Sequence, residues 1–238
     1  MILNFRNKRT GNLFILSGPS GVGKTTLRET LQKKNPALRF SISWTTRPPR
    51  AEEESGRDYL FVSHGAFQKK RQEGGFLEWA KVHNEFYGTP RGPVLGWINK
   101  GEDVLLDIDI QGARKVKKKL PQSVTIFILP PSRGELKRRL VRRETESSAK
   151  IRLRLKNAEE ELQAVKDFEY AVINREISAS VEALEFIIKA ARFRVGTLPG
   201  NKIRLAQSLK PVKFPGASRP SDDGSTPPGI SMSRLKRT

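Results

Sequence analysis

Residues 18 to 25, GPSGVGKT, are the most informative segment of this chain for its fold. It matches the pattern G-x-x-x-x-G-K-[ST], in which glycines let backbone N–H groups turn inward around phosphate oxygens. The motif follows an apolar run, NLFILSG. The last residue of the motif begins the segment TTLRETLQKK, in which Leu27 and Leu31 lie four residues apart, on one face of a helix. A strand, a glycine-rich loop and a helix in this order predict a phosphate-binding loop in an α/β domain.

The residue types of this loop predict a nucleoside triphosphate site. Lys24 can place a point charge at the β- and γ-phosphates, and the Thr25 hydroxyl can bind Mg²⁺. The candidate nucleotide-binding residues are the loop and the position after it: Gly18, Pro19, Ser20, Gly21, Val22, Gly23, Lys24, Thr25 and Thr26. The sequence lacks the N-K-x-D motif with which GTPases read guanine. Two classes therefore stay open, phosphoryl transfer to a small acceptor and motor-like ATP hydrolysis.

The composition restricts the partners and the compartment. The 238 residues include 45 lysines and arginines but only 25 acidic residues. The resulting net charge of +20 favours anionic partners such as nucleotides or nucleic acid. The absence of cysteine excludes disulfides, zinc ribbons and a thiol nucleophile. The start of the chain, MILNFRNKRTGN, lacks the apolar region of a secretory signal, and no run is long enough to span a membrane, so we expect a cytoplasmic protein.

Apolar strand-like runs alternate with helical segments along most of the chain. Examples of such runs are VLLDID, SVTIFILPP and YAVIN. This alternation predicts an α/β fold with a mainly parallel core sheet flanked by helices. Residues 42–92 interrupt the rhythm and are predicted to form a small insertion, into which the run FSISW, residues 40–44, leads as one strand.

A second anion site is predicted where that strand ends, in the segment TTRPPR. Arg47 and Arg50 lie three residues apart, and the two prolines between them stiffen the backbone. Two guanidinium groups on one rigid loop suit convergence on a tetrahedral anion. The segment therefore predicts a site for a phosphate group.

Six segments in order resemble those of guanylate kinases, over residues 11–194. They are SGPSGVGKTTL, S-x-S-x-TTRPPR, G-x-DY-x-FV, F-x-EWA, YGT and LDID-x-QG. The resemblance implies a P-loop kinase that transfers phosphate from ATP to GMP and dGMP with Mg²⁺, in purine nucleotide metabolism and GMP recycling. It also implies that the chain divides into a core (11–41, 93–134 and 155–194), a GMP-binding insertion (42–92), a helical lid (135–154) and a basic tail (195–238). The proline- and glycine-rich composition of the tail predicts that it is disordered.

The resemblance assigns a role to each matching residue. The GMP phosphate would be held by Arg47, Arg50, Tyr59 and Tyr87, and guanine would be read by Ser43, Glu78, Thr89 and Asp109. Thr25 and Asp107 would serve Mg²⁺, Asn174 would lie near the adenine of ATP, and the transferred phosphate would meet Lys24, Arg139, Arg143 and Arg154.

Elementary chemistry agrees with these roles. The guanine edge presents N1–H and N2–H₂ donors, and an ionised carboxylate is an acceptor only, whereas adenine has no N1–H. The second pKa of a phosphate lies near 6, so GMP at neutral pH is already mostly deprotonated and needs no general base. The presence of only two histidines, His64 and His83, therefore does not count against an enzyme.

Two rival interpretations remain from the sequence. One is another small-molecule kinase on the same scaffold, against which the paired Glu78 and Asp109 argue. The other is a non-catalytic binding module that uses the anion clamp for phosphorylated peptides, against which the intact Lys24 and Thr25 argue. The basic tail is expected to be a solubilising extension rather than a nucleic-acid-binding segment.

Overall fold

The computed structural model describes residues 10–82, 84–142 and 148–194. Within them lie the strands β1 (Leu13–Ser17), β2 (Arg39–Phe40), β3 (Trp44–Thr45), β4 (Leu60–Phe61), β5 (Phe76–Val82), β6 (Glu85–Pro90), β7 (Val104–Asp107), β8 (Val124–Leu129) and β9 (Tyr170–Ile173). The helices are α1 (Lys24–Lys34), α2 (His64–Gln72), α3 (Arg91–Asn99), α4 (Ile110–Lys119), α5 (Arg133–Arg142), α6 (Ser148–Leu162) and α7 (Ile177–Ala191), with a short 3₁₀ helix at Gln163–Asp167. The predicted tail, 195–238, lies outside the described residues.

The larger sheet has the strand order β2-β7-β1-β8-β9, and every neighbouring pair in it is parallel. Alternate residues of β1 enter opposite layers: Phe14 and Leu16 pack in the cluster that contains α1 and α7, whereas Leu13 and Ile15 pack with α3 and α4. All five residues of β1 are buried, as a central parallel strand covered by helices on both faces requires. The predicted α/β fold with a mainly parallel sheet is confirmed.

A smaller sheet, with the order β4-β3-β6-β5, lies between β2 and α3 in the chain. Its β3–β4 pair is parallel, and its other pairs are antiparallel. The predicted single strand over residues 40–44 is wrong. Ser41 N donates to Leu105 O at 3.1 Å in the larger sheet, whereas Ser43 O accepts from Leu60 N at 2.9 Å beside the smaller one. The chain therefore exchanges sheets within three residues.

Trp79 on β5 lies where the smaller sheet meets the core. Its ring lies 4.7 Å from the Arg71 guanidinium of α2 and 5.8 Å from the Lys115 ammonium of α4. Lys115 Nζ also donates to Trp79 O at 2.8 Å. The indole thus has one cationic neighbour from the insertion and one from the core helices.

Helices α5 and α6 pack against each other beside the glycine-rich loop. Their contact is built from Leu136, Leu140 and Ala158, which are each buried. Residues 143–147 between the two helices lie outside the described part of the chain. Among the described residues, no helix is both long enough and apolar enough to cross a bilayer.

Candidate active site

The loop between β1 and α1 requires glycine at two of its positions for steric reasons. Gly18 has φ +147°, and a Cβ there would lie 2.5 Å from the Ile128 carbonyl oxygen of β8. Gly23 has φ +96°, and a Cβ there would lie 2.7 Å from Asn174 Nδ2. Other residue types rarely adopt such angles and would also clash. The glycines of the motif therefore let the loop lie against the ends of two neighbouring strands.

The loop is held by a small set of polar contacts. Lys24 Nζ donates to Gly18 O at 2.7 Å, within the loop itself. Val22 O accepts from Asn174 Nδ2 at 2.8 Å and from Arg139 Nη1 at 3.2 Å. Arg139 is in turn held by Glu135, whose Oε1 accepts from its Nε at 2.8 Å. The structure thus brings Asn174 and Arg139, far apart in sequence, to the tip of the loop.

A cleft of about 770 Å³ adjoins this side of the loop. Loop residues, Arg139 and the start of α7 form its walls: Gly21, Gly23, Thr26, Arg139, Asn174, Arg175, Glu176, Ile177 and Ser178. Asn174, which is predicted to lie near adenine, and Arg139, which is predicted to meet the transferred phosphate, therefore line the same cleft as the phosphate loop.

A second cleft, of about 680 Å³, opens on the other side of α1 toward the insertion. It is lined by Thr25 and Asp107 of the core and by Ser43, Arg50 and Tyr59 of the insertion. Residues predicted for the metal thus face residues predicted for GMP across one space. The cleft therefore connects the end of the phosphate loop with part of the predicted GMP site.

Arg47 is held by a partner that the sequence analysis did not single out. Its Nη2 contacts both oxygens of Glu53, at 2.9 and 2.8 Å, and its guanidinium lies 5.7 Å from the Tyr59 ring and 5.8 Å from the Phe61 ring. Glu53 Oε2 also accepts from Arg50 N at 2.9 Å. One carboxylate therefore organises both arginines of the predicted clamp, one through its side chain and the other through its backbone.

The electrostatics of the clamp favour charged arginine and neutral tyrosine. Burial alone would lower the pKa of Arg47, but its bonds with Glu53 and Tyr87 outweigh burial and raise that pKa. Burial, with a smaller effect from Asp107, raises the pKa of Tyr59 to about 12. The rings of Tyr59 and Tyr87 lie 6.0 Å apart, edge to face. At neutral pH the clamp offers a guanidinium charge and hydroxyl donors to an anion.

Three of the predicted guanine-reading residues meet near the start of α4. Thr89 Oγ1 donates to Glu78 Oε1 at 2.7 Å, and the Asp109 carboxylate caps α4 by accepting from Gly112 N at 2.6 Å. A Cβ at Gly112 would lie 3.0 Å from Glu78 Oε2. Each carboxylate therefore keeps one oxygen outside these bonds. The Thr89 hydroxyl, which the resemblance implies as a reader of guanine, here donates to Glu78.

Burial distinguishes Glu78 from Asp109. Glu78 is 6% exposed, whereas Asp109 is exposed at the surface of the site. Burial raises the pKa of Glu78, the Thr89 hydroxyl lowers it, and the nearby charge of Asp109 raises it further. Two carboxylates of like charge at one place form a strong acceptor site for a ligand that presents paired donors.

The residues predicted for Mg²⁺ fit a metal that is bound mainly through a nucleotide. Asp107 ends β7, and burial raises its pKa while the charges of Lys24 and Arg28 oppose that rise. Within the described residues no group of three or more acidic or histidine side chains could form a metal cage. Mg²⁺ at phosphate loops is held by a loop hydroxyl, an acidic residue and phosphate oxygens, which Thr25 and Asp107 match.

Arg28 of α1 is a further charged residue in the second cleft that sequence reasoning missed. It is 5% exposed, its guanidinium lies 4.4 Å from the Phe40 ring, and it pairs with Glu29 at 3.0 Å and with Asp58 at 3.8 Å. Its position four residues after Lys24 was the available signal, because residues four apart share a helical face. It links α1 to the insertion.

Two predicted catalytic arginines cannot be placed by their side chains. Arg143 lies outside the described residues. Position 154 lies within α6, but its side chain also lies outside the described part. Their roles stay predictions.

Comparison with known proteins is consistent with this geometry. The family model for guanylate kinase matches residues 10–191. A guanylate kinase of Caldanaerobacter subterraneus subsp. tengcongensis is 49% identical over 188 residues, which cover 79% of this chain and 91% of that protein. The corresponding protein of Thermotoga maritima is 44% identical over 185 residues, covering 78% of this chain and 89% of its own length.

A solved structure agrees with these sequence relatives. The crystal structure of guanylate kinase from Anaplasma phagocytophilum superposes with a TM-score of 0.72 at 32% identity, covering 87% of this chain and 99% of that one. The matched region includes the phosphate loop, both clefts and the carboxylates at the start of α4. The chain therefore belongs to the guanylate kinase family.

Proposed function

We propose that this protein transfers the γ-phosphoryl group of ATP to GMP or dGMP, giving ADP and GDP or dGDP. The observation that supports this best is the second cleft. It joins the loop residue Thr25 to the clamp-side residues Ser43, Arg50 and Tyr59 in one space. An acceptor phosphate held there would lie beside the end of the phosphate loop, as direct transfer requires.

The reaction needs alignment and charge neutralisation more than proton transfer. The acceptor is a phosphate whose second pKa lies near 6, so its attacking oxygen is mostly deprotonated at neutral pH. Lys24 and Arg139, with Arg143 and Arg154 of the predicted lid, would meet charge that develops on the transferred group. Arg139 is suited to this role because it already contacts the loop at Val22 O.

Selection of guanine follows from the two carboxylates at the start of α4. The oxygens of Glu78 and Asp109 that lie outside the Thr89 and Gly112 bonds can accept N1–H and N2–H₂ of guanine. AMP lacks those donors and would leave the second carboxylate oxygen of the buried Glu78 without a donor from the base. A site that demands a hydrogen bond can reject the analogue lacking it by about 10⁴-fold.

Mg²⁺ belongs to the same proposal. Thr25 and Asp107 would hold it, the first directly and the second through water. When bound, the ion neutralises charge on the β- and γ-phosphates. Thr25 is positioned in the cleft by the first turn of α1, and Asp107 is positioned there by the end of β7.

A cytoplasmic location is also proposed, and the absence of cysteine fits the reducing conditions there. GMP or dGMP and ATP are the partners that the site supports. The basic tail remains assigned to solubility.

A coupled assay of ADP release tests the proposal across all nucleoside monophosphates. We expect rapid turnover with GMP, measurable turnover with dGMP, and rates lower by several orders of magnitude with AMP, CMP and UMP. Comparable rates with AMP would refute the assignment of guanine. ADP release that does not depend on any acceptor would favour an ATPase instead.

A further inference from the structure

The tip of the phosphate loop also contacts α6, through a carboxylate. Glu161 Oε2 accepts a hydrogen bond from Ser20 N at 3.2 Å, across 141 residues of sequence. On the α5 side, a Cβ at Gly21 would lie 2.8 Å from Leu140 Cδ2, so that leucine already covers the loop. The loop is therefore held between two helices, and Glu161 provides a charged contact from the described part of α6.

The surroundings of Glu161 set it apart from its helical neighbours. It is half-buried, whereas Glu159 and Glu160 are exposed. Burial raises the pKa of Glu161, the bond from Ser20 N and the charge of Lys24 lower it, and Asp109 raises it. Glu161 thus lies within electrostatic reach of both the phosphate loop and one carboxylate at the guanine site. Together with Asp109 it lines a cleft of about 650 Å³.

Helical geometry connects Glu161 with the predicted catalytic arginine. Positions 154 and 161 are seven residues apart in α6, which is close to two full turns, so they share a face of the helix. A contact that fixes Glu161 against the loop also fixes the height and rotation of α6 there. It thereby fixes the position of the backbone at residue 154 relative to the loop.

We propose that Glu161 is a positioning residue, which anchors α6 to the phosphate loop through Ser20 N–H and so sets the position of the helix backbone that carries the predicted catalytic Arg154. This inference rests on the proposed kinase function. Glu161 touches no reacting atom in this scheme and acts through Arg154. The alternative is that Glu161 is one more surface glutamate of α6, equivalent to Glu159.

Four substitutions separate these two possibilities. Glu161→Ala removes the acceptor, Glu161→Asp keeps the charge but is one methylene shorter, and Glu161→Gln keeps an oxygen acceptor at full length. Glu159→Ala is the matched control on an exposed turn of the same helix. We expect kcat to fall by on the order of 10- to 100-fold in the alanine and aspartate variants, because a hydrogen bond to a charged group is lost. The glutamine variant should lose less than about tenfold, and Glu159→Ala should match wild type.

The readouts are kcat, the KM for GMP and the melting temperature. The KM for GMP should stay within about twofold of wild type, because the clamp is built from other elements. A double-mutant cycle with Arg154→Ala gives the decisive test. If Glu161 acts through Arg154, Glu161→Ala should lower kcat much less in the Arg154→Ala background than in wild type.

Each outcome decides for or against the inference. Additive losses in the cycle, or equal kcat in Glu161→Ala and Glu159→Ala, would overturn it. If Glu161→Ala does not fold, Glu161→Asp carries the same comparison. A wild-type protein that forms no ADP from ATP and GMP would instead refute the proposed function, so the two failures are distinguishable.

Discussion

The phosphate loop and the arginine clamp are both predicted anion sites, but they are built differently. In the loop, the side chains bond to backbone carbonyls: Lys24 donates to Gly18 O, and Val22 O accepts from Asn174 and Arg139. In the clamp, Arg47 is already paired with a full negative charge on Glu53. The loop therefore depends on steric fit, whereas the clamp depends on a balance of side-chain charges. Substitutions should affect the two sites differently.

The largest effect is expected from Lys24→Met, which removes a charge from the loop and leaves the backbone intact. The kcat should fall by on the order of 10²- to 10³-fold, since a preorganised transition-state contact is lost. Steady-state kinetics at saturating GMP measures this. Lys33→Met, on the exposed last turn of the same helix, is the control. Near-normal turnover of Lys24→Met would mean that the loop does not take part in the chemistry.

Next in size is the change in base selectivity on Glu78→Gln or Asp109→Asn. Each amide introduces a donor where guanine also donates, so the ratio of kcat/KM for GMP to that for AMP should fall by on the order of 10²-fold for the buried Glu78 and less for the exposed Asp109. KM for ATP should not change. A constant ratio in both variants would show that these carboxylates do not read the base.

Arg47→Ala should act on one substrate only. We expect the KM for GMP to rise by on the order of 10- to 100-fold, because a charge-assisted contact to phosphate is lost, while the KM for ATP stays within about twofold. Initial-rate kinetics with each substrate varied in turn gives both constants. Arg91→Ala, at an exposed position at the start of α3, is the control. Equal changes in both constants would contradict the separation of the two sites.

The smallest effect is expected from Glu53→Gln, which tests how the carboxylate acts on the two clamp arginines. If Glu53 organises the clamp, as its bonds to Arg47 and Arg50 N indicate, the KM for GMP should rise by about tenfold. A fall in that KM would show the opposite, that the carboxylate competes with the substrate phosphate for Arg47. Glu52→Gln, an exposed neighbour that lines the same cleft, is the control for the loss of one negative charge.

The difference between the two sites also explains what could be predicted from the sequence. The phosphate loop was predictable because its geometry is local: glycines at fixed spacing, a strand before them and a helix after them. The parallel sheet followed from the apolar runs that alternate with helices. These features depend on residues that are neighbours in the chain.

What could not be predicted depends on residues that are far apart or on a local change of pairing. Glu161 lies 141 residues from Ser20, and one glutamate in a run of three gives no sequence signal of a contact with the loop. The break between Phe40 and Trp44 was missed because alternating polarity continues through it while the hydrogen-bonding partners change. Glu53 was overlooked because an acid near two arginines is ordinarily a solvated neighbour.

The position of Trp79 gives the protein an optical reporter of its own. The chain has three tryptophans, and Trp44 and Trp79 lie in the smaller sheet, while the phosphate loop has none. Indole emission responds to nearby charge, and Trp79 has one cationic neighbour on α2 and another on α4. Any rotation of the insertion against the core would alter the distance to one cation more than to the other. Fluorescence of the unlabelled protein can therefore report movement of the smaller sheet against the core, on top of the emission of Trp97 on α3.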